Sequence, residues 1–181
     1  ALDRKYISET ITAGTYTPAK GFIPQGVSDW DGSSWYDHLT DPSVYINVDD
    51  YQANLAKAKE LLAEAGHPNG EGLPTLTYST NDSAYHKKIA EYLQQAWGEL
   101  GLKIDVNIVE WKSFTPQRRS GNYQIARDGW VMDYNYPSNL LECAYSTNGN
   151  NSSRYKNPEY DALLDKAANE TDAKTRFGYL H

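Results

Sequence analysis

The 181-residue sequence predicts an α/β domain, and three observations carry that prediction. Apolar residues recur at helical spacing in several separate stretches. One segment, Leu102-Lys103-Ile104-Asp105-Val106-Asn107-Ile108, alternates apolar and polar residues strictly, the period of a half-buried strand. In order, strand, helix, strand, short helix and strand make the layered pattern of α/β proteins. Residues 1–181 read as a single such domain, with no internal repeat or low-complexity tract.

Each element has its own signal. The opening residues Ala1-Leu2-Asp3-Arg4-Lys5-Tyr6-Ile7 read as helix with no capping residue before them, and the residues from Thr171 to His181 break off inside a helical pattern. Both ends therefore read as cut from a longer protein. Residues 14–50 form a long irregular segment rich in Gly, Pro, Asp and Ser, including Asp31-Gly32 and Asp41-Pro42. Tyr16, Phe22, Trp30, Trp35 and Tyr36 are available to pack it down. Order returns at Asp50, where Leu55, Ala58, Leu61, Leu62 and Ala65 recur at helical spacing before the stop at Gly66. A strand is expected over 74–80, with Leu76 and Tyr78 on one face. Asp82 or Ser83 caps the next helix, whose stripe is Ile89, Leu93, Ala96, Trp97 and Leu100, and Gly101 ends it. The alternating strand follows, then a short helix over 113–119 and a strand over 123–130. Residues 137–145 look helical. Asn157-Pro158-Glu159 is a strong helix start, Asn as cap and Pro at the first helical position, with Leu163, Leu164 and Ala167 facing inward.

Composition narrows the function. A net charge of −7 argues against nucleic acid, which needs a concentrated basic surface. No apolar run approaches the roughly 18 residues of a membrane span. Cys143 is the only cysteine, so it has no partner for a disulfide within this stretch and no zinc-like spacing. Fifteen Tyr and five Trp stand against three Phe. Phe would fill a core equally well, so the excess of aromatic rings with a polar handle favours a ligand-gripping, wetted surface over core filling.

The densest candidates run from Glu110 to Pro137. They read Glu110-Trp111-Lys112, then Arg118-Arg119, then Arg127-Asp128-Gly129-Trp130-Val131-Met132-Asp133-Tyr134-Asn135. In open α/β sheets ligands bind beyond the carboxyl ends of strands. A strand ending at Gly129-Trp130 with Asp133 close behind sets an aromatic wall and a carboxylate at such an edge. Arg118 and Arg127 add guanidinium forks suited to a carboxylate. A peptide is a zwitterion: an Asp between aromatic walls takes its ammonium, Arg or His takes its carboxylate, and its backbone binds as an added strand. On the residues alone the bland alternatives stay open. Asp133 reads as a cap or turn residue, Trp111 and Trp130 as core, Arg118 and Arg119 as a solvated helix end, and His86 as a neutral surface histidine.

In these stretches the sequence resembles the solute-binding proteins of the peptide and nickel class, closest to the periplasmic oligopeptide-binding proteins. Ala1-Leu2-Asp3-Arg4, the run from Ala56 to Gly66 and the run from Tyr155 to Asp161 carry the broad resemblance. Glu110-Trp111-Lys112, Arg118, Ala126-Arg127-Asp128-Gly129-Trp130 and Asp133-Tyr134-Asn135 carry the narrower one. The resemblance implies an α/β fold that is one lobe of a two-lobed clamshell, with a mixed sheet flanked by helices. It implies a non-enzymatic, substrate-capturing component of an ABC importer, working without cofactor or metal, as a monomer that is periplasmic or anchored outside a single membrane. Its partners would be short peptides and a membrane permease, with no nucleic acid.

By position, Asp133 matches the aspartate that pairs with the peptide ammonium, and Trp130 and Trp111 match tryptophans of roomy side-chain pockets. Arg118, Arg127 and His86 match basic residues near the ligand. Arg119 stands where close members can have His. Val131 occupies a position that is a disulfide Cys in some members; that bridge is absent here, and Cys143 does not match it. Two alternatives remain at this level. One is a carbohydrate-binding module or glycoside hydrolase fragment, since sugars also bind Trp and Tyr faces. The other, within the family, is binding of a nickel chelate, haem or a murein peptide.

Overall fold

The computed structural model describes residues 1–39 and 46–181. Asp41-Pro42 of the expected irregular segment lies outside the described residues. The chain divides into two compact units. Unit 1 is Ala1–Lys20, Ile46–Arg118 and Asn122–Asp128; unit 2 is Gly21–Tyr45, Arg119–Gly121 and Gly129–His181.

Unit 1 opens with α1 (Arg4–Tyr6), which runs into a π turn over Ile7–Ile11. Contrary to the sequence reading, this helix has a cap: Asp3 Oδ1 accepts from the Tyr6 amide at 2.8 Å. Helix α2 (Tyr51–Glu64) is capped by Asp50, but of its expected stripe only Leu55 is buried, and Leu61 is half exposed. Strand β1 (Leu76–Asn81), helix α3 (Ala84–Gly98), strand β2 (Ile104–Val109), helix α4 (Trp111–Arg119) and strand β3 (Ile125–Ala126) follow.

The sheet order is β2-β1-β3, and both pairings are parallel, with Leu76 opposite Ile104 and Ser79 opposite Ala126. The antiparallel contact among the described residues is an isolated bridge, Ser28 to Ser34, in unit 2. One sheet face carries Leu76, Tyr78, Ile104, Val106 and Ile125, packed against Ala90, Leu93 and Trp97 of α3. The other is polar, with Asn107 Nδ2 donating to Ser79 Oγ at 3.3 Å. Ile108, expected inside, is 44% exposed at the end of its strand.

Helix α4 starts two residues earlier than its apolar pattern shows because Glu110 Oε2 accepts from the Lys112 and Ser113 amides, at 2.8 and 3.3 Å. Strand β3 is only two residues long, against the eight expected. Before it, Gln124 contributes its side-chain oxygen to the Thr77 amide at 2.7 Å in place of backbone. After it, one more backbone bond runs from the Arg127 amide to Ser79 at 2.9 Å before pairing ends. Gly101, at φ +80°, closes α3 so tightly that a Cβ there would lie 1.7 Å from the Asn69 carbonyl oxygen.

Unit 2 has its own core of Ile23, Val27, Trp35, Leu141, Leu164, Ala167, Phe177 and Leu180. It contains α5 (Ser138–Leu141), extended by a 3₁₀ turn over Glu142–Ala144, then α6 (Pro158–Asn169) and α7 (Ala173–Leu180). Asn157 caps α6 as its sequence predicts, accepting from the Glu159 amide at 2.9 Å. Leu164 and Ala167 are buried, whereas Leu163 is 41% exposed, one position off the inward stripe. Beside the core, Asp29 is fully buried. His181 Nε2 lies 2.7 Å from its Oδ2, and the His181 ring stacks on Trp35 at 3.9 Å. No helix among the described residues is long and apolar enough to cross a membrane.

Candidate ligand-binding site

A parallel sheet sends all its carboxyl ends to one edge. In unit 1 that edge collects the residues following β1, β2 and β3. His86 lies in the first turn of α3 after β1, Trp111 starts α4 after β2, and Arg127 and Asp128 follow β3 directly. Two of the basic and aromatic candidates, Arg127 and Trp111, are tied together at this edge by packing. The Arg127 guanidinium stands over the Trp111 ring at 5.9 Å, and Trp111 remains 48% exposed. A guanidinium over an indole keeps its charge while its plane is held, which presents cation and aromatic face together. His86 is half-buried and its Nδ1 has no hydrogen-bond partner. Burial, with Arg127 adding to it, lowers its pKa below the usual histidine value.

Arg118, near the end of α4, lies over the buried Phe114 ring at 5.8 Å. Its side chain is only 11% exposed. Its Nη1 stands 2.5 Å from Asp128 Oδ1, and Asp128 itself is half exposed. The contact is charge against charge rather than a directed hydrogen bond. Arg118 Nε and Nη1 are both buried, and neither makes a hydrogen bond of acceptable geometry among the described residues. Arg118 is therefore a packed cation, not the solvated helix end that its sequence position allowed. Arg119, next to it, is exposed and belongs to unit 2, where its carbonyl accepts from Arg154 Nη2 at 3.2 Å.

Unit 2 holds the carboxylate candidate, and one residue organises it. Asn139, 6% exposed on α5, accepts from the Trp130 indole Nε1 at 2.8 Å and from the Asp133 amide at 3.2 Å, both through Oδ1. Its Nδ2 donates to Asp133 Oδ2 at 3.4 Å. A single buried amide thus fixes an aromatic ring and a carboxylate relative to each other. Asp133 is exposed, as are Trp130 (40%) and Val131 (89%). The helix-cap reading of Asp133 does not hold: Pro137 is the N-cap of α5, and no side chain caps that helix. Trp130 is four residues past β3 rather than at a strand end, because pairing has already stopped at Arg127. Nearby, Asn135 Nδ2 donates to the Gly26 carbonyl at 3.0 Å, and Cys143 Sγ to the Asn139 carbonyl at 3.7 Å.

The structure thus groups His86, Trp111, Arg118 and Arg127 in unit 1, and Trp130, Val131 and Asp133 in unit 2. Sequence reasoning missed Asn139 and the pairing of Asp128. Asn139 gave a faint signal, a polar residue on the inward side of an apolar turn next to Leu140 and Leu141. Two surface cavities lie elsewhere. One of about 250 Å³ in unit 2 is lined by Tyr136, Glu142, Leu164, Arg176 and others, and one of about 330 Å³ in unit 1 by Leu2, Ile46, Leu61, Trp97 and others; no candidate residue lines either. Trp111, Trp130, Val131 and Asp133 are exposed, whereas His86 and Arg127 are half-buried and Arg118 is packed. Among the described residues no group of three or more His, Cys, Asp and Glu could hold a metal ion.

Comparison with known proteins agrees with the resemblance read from the motifs. Residues 1–152 match the family described as bacterial extracellular solute-binding proteins, family 5 middle. The periplasmic murein peptide-binding protein MppA of Escherichia coli K12 is 33% identical over 177 residues, covering 97% of this chain and 31% of that protein. The dipeptide-binding protein DppE of Bacillus subtilis 168 is 33% identical over 185 residues, covering 100% of this chain and 32% of that protein. Among solved structures, a periplasmic oligopeptide-binding protein, OppAIV, from Borrelia burgdorferi superposes with a TM-score of 0.81 at 32% identity, over 99% of this chain and 33% of that one. The chain spans about a third of the length of the curated relatives it matches.

Proposed function

The chain belongs to the bacterial extracellular solute-binding proteins of family 5, and from that premise we propose that it is most of one lobe of a receptor that captures short peptides for an ABC importer. The observation that carries this reading is the Asn139 bridge. It holds Trp130 and Asp133 as one exposed unit, an aromatic face beside a carboxylate. Such a pair suits an ammonium flanked by a side chain, the amino end of a peptide. The cationic edge of unit 1, taken by itself, suits a carboxylate, with Arg127 held on Trp111 and with Arg118 and His86 carrying unspent polar atoms. A neutral sugar has no use for charges of both signs, which weighs against the carbohydrate reading.

The mechanism is reversible capture, without bond chemistry. The exposed faces of Trp111, Trp130 and Asp133 leave a ligand open to an opposing wall, supplied by the remainder of the protein. Closure over an extended peptide removes Asp133 and the ligand ammonium from water together, so each needs the other once buried. The lobe is proposed to act outside the cytoplasm, periplasmic or surface-anchored, as a monomer docking on a permease. Relatives in the family carry names for dipeptides, oligopeptides and murein peptides, and others for deoxycholate and haem. Peptide is the class that uses both charges.

Calorimetry on the full-length protein with a tripeptide in free and N-acetylated forms tests the reading. Tight binding of the free form and a large loss on acetylation are expected. Asp133→Ala should weaken binding by about 2–5 kcal/mol, the range for breaking a buried charged pair. A loss below about 1 kcal/mol would remove the ammonium anchor. Binding of neither peptide would redirect the search to sugars, haem and metal chelates.

A further inference from the structure

Arg118 is an unfinished ion pair. Its guanidinium is packed over Phe114 and largely removed from water, yet Nε and Nη1 make no hydrogen bond of acceptable geometry. Buried guanidinium donors left in that state are costly, and a carboxylate presenting two oxygens to the fork would satisfy them. The carboxylate now beside them, Asp128, brings one oxygen to 2.5 Å and supplies charge without direction. It sits half exposed at the end of unit 1, immediately before Gly129. A residue so placed lowers the cost of the buried cation while leaving the site improvable by a better acceptor.

We propose that Asp128 is a built-in competitor for the ligand's carboxylate at Arg118, and that it sets how strongly the protein discriminates a free C-terminal acid from a blocked one. This rests on the peptide reading above. In the empty protein Asp128 neutralises Arg118. An incoming carboxylate must displace it, so the ligand gains only the difference between two carboxylates. A C-terminal amide leaves Asp128 in place and forfeits little. Discrimination between acid and amide is thereby held low. With Asp128 neutral, the whole charge-assisted interaction of Arg118 becomes available to the ligand.

The test is calorimetry on the full-length protein with trialanine and trialanine amide, comparing wild type, Asp128→Asn and Asp128→Ser. Either neutral variant carries the test should the other fail to fold. In both, trialanine should bind about tenfold tighter while the amide changes by less than about twofold, the worth of one charge-assisted hydrogen bond. Adding Arg118→Gln to Asp128→Asn should abolish the gain. Equal shifts for acid and amide, weaker binding of the acid, or a gain that survives Arg118→Gln would each overturn the competitor role and leave the peptide reading intact. Failure of wild type to bind either peptide would overturn both.

Discussion

The two units hold the polar groups of their candidate residues in opposite ways. At the carboxyl edge of the unit 1 sheet, His86 Nδ1 and Arg118 Nε are buried without hydrogen-bond partners, and Arg127 is held by the face of Trp111 rather than by an acceptor. In unit 2 Trp35 Nε1, the Tyr136 hydroxyl and His181 Nδ1 are likewise buried without hydrogen-bond partners among the described residues, but the candidate residues themselves are satisfied. Asn139 serves both Trp130 and Asp133, and Asp29 takes His181 at 2.7 Å, His38 at 3.2 Å and the Trp30 amide at 2.7 Å. Buried polar groups are almost always satisfied, and those that are not call for an explanation. The contrast assigns different work to each region. Unit 2 presents a carboxylate and ring fixed by Asn139, while the unit 1 candidates Arg118 and His86 keep polar atoms in reserve.

The contrast breaks first where its strongest pairing is removed. Asp29 has a fully buried side chain, and Asp29→Ala would leave His181 and His38 facing a hole lined by Trp35. Removing the shared acceptor orphans several buried donors, at about 1–3 kcal/mol each. Urea unfolding should therefore show a large drop in midpoint for Asp29→Ala. An unchanged midpoint would mean that unit 2 does not rest on its buried pairs.

Asn139→Ala comes next, and it separates holding from binding. It strips partners from the Trp130 indole and the Asp133 amide, so a destabilisation of about 1–3 kcal/mol is expected, the cost of orphaned polar groups. More telling is the ligand. Affinity for a free tripeptide should fall more than that for the N-acetylated form, because the aim of Asp133 is lost along with the hold on Trp130. Equal losses for both peptides would assign Asn139 to packing alone.

These predictions turn on residues of unequal visibility in the sequence. The sheet of unit 1 was legible because Leu76, Tyr78, Ile104 and Val106 obey a period of two, and α3 because its apolar stripe obeys the helical period. Asn157 and Pro158 announced α6 for the same local reason. Periodicity misjudged lengths where side chains replace backbone: Gln124 shortens β3, and Glu110 starts α4 early. The two-unit division left no local mark, since unit 2 is assembled from three separated stretches. Asp133 and Trp130 could be nominated through family motifs, but not the amide that joins them. Asn139 acts across six and nine residues of irregular chain, a distance no spacing rule covers. Asp128 was quoted within its motif with no role, because its partner Arg118 is brought to it by the fold alone.

The smallest effect expected is at His86, and its sign follows from the direction of its shift. Burial, then Arg127, lowers the folded-state pKa below the ordinary histidine value of about 6.5. The unfolded chain therefore binds the proton more readily than the folded one. The stability tied to neutral His86 is fully present above about pH 6.5, the unfolded value, and is lost as pH falls through the folded value. Partial exposure keeps the effect modest. His86→Gln should flatten the decline in urea midpoint between pH 7.5 and pH 5 relative to wild type. Ligand binding adds a sharper readout, since an anion brought near Arg127 favours the protonated ring. At pH 6 a free-acid tripeptide should therefore take up protons on binding, seen as a dependence of the calorimetric heat on buffer ionisation enthalpy. The dependence should disappear in His86→Gln and with the C-terminal amide. Were it to persist in the amide, the proton would belong to Asp133's end of the peptide, and the reserve of unit 1 would not be what the carboxylate meets.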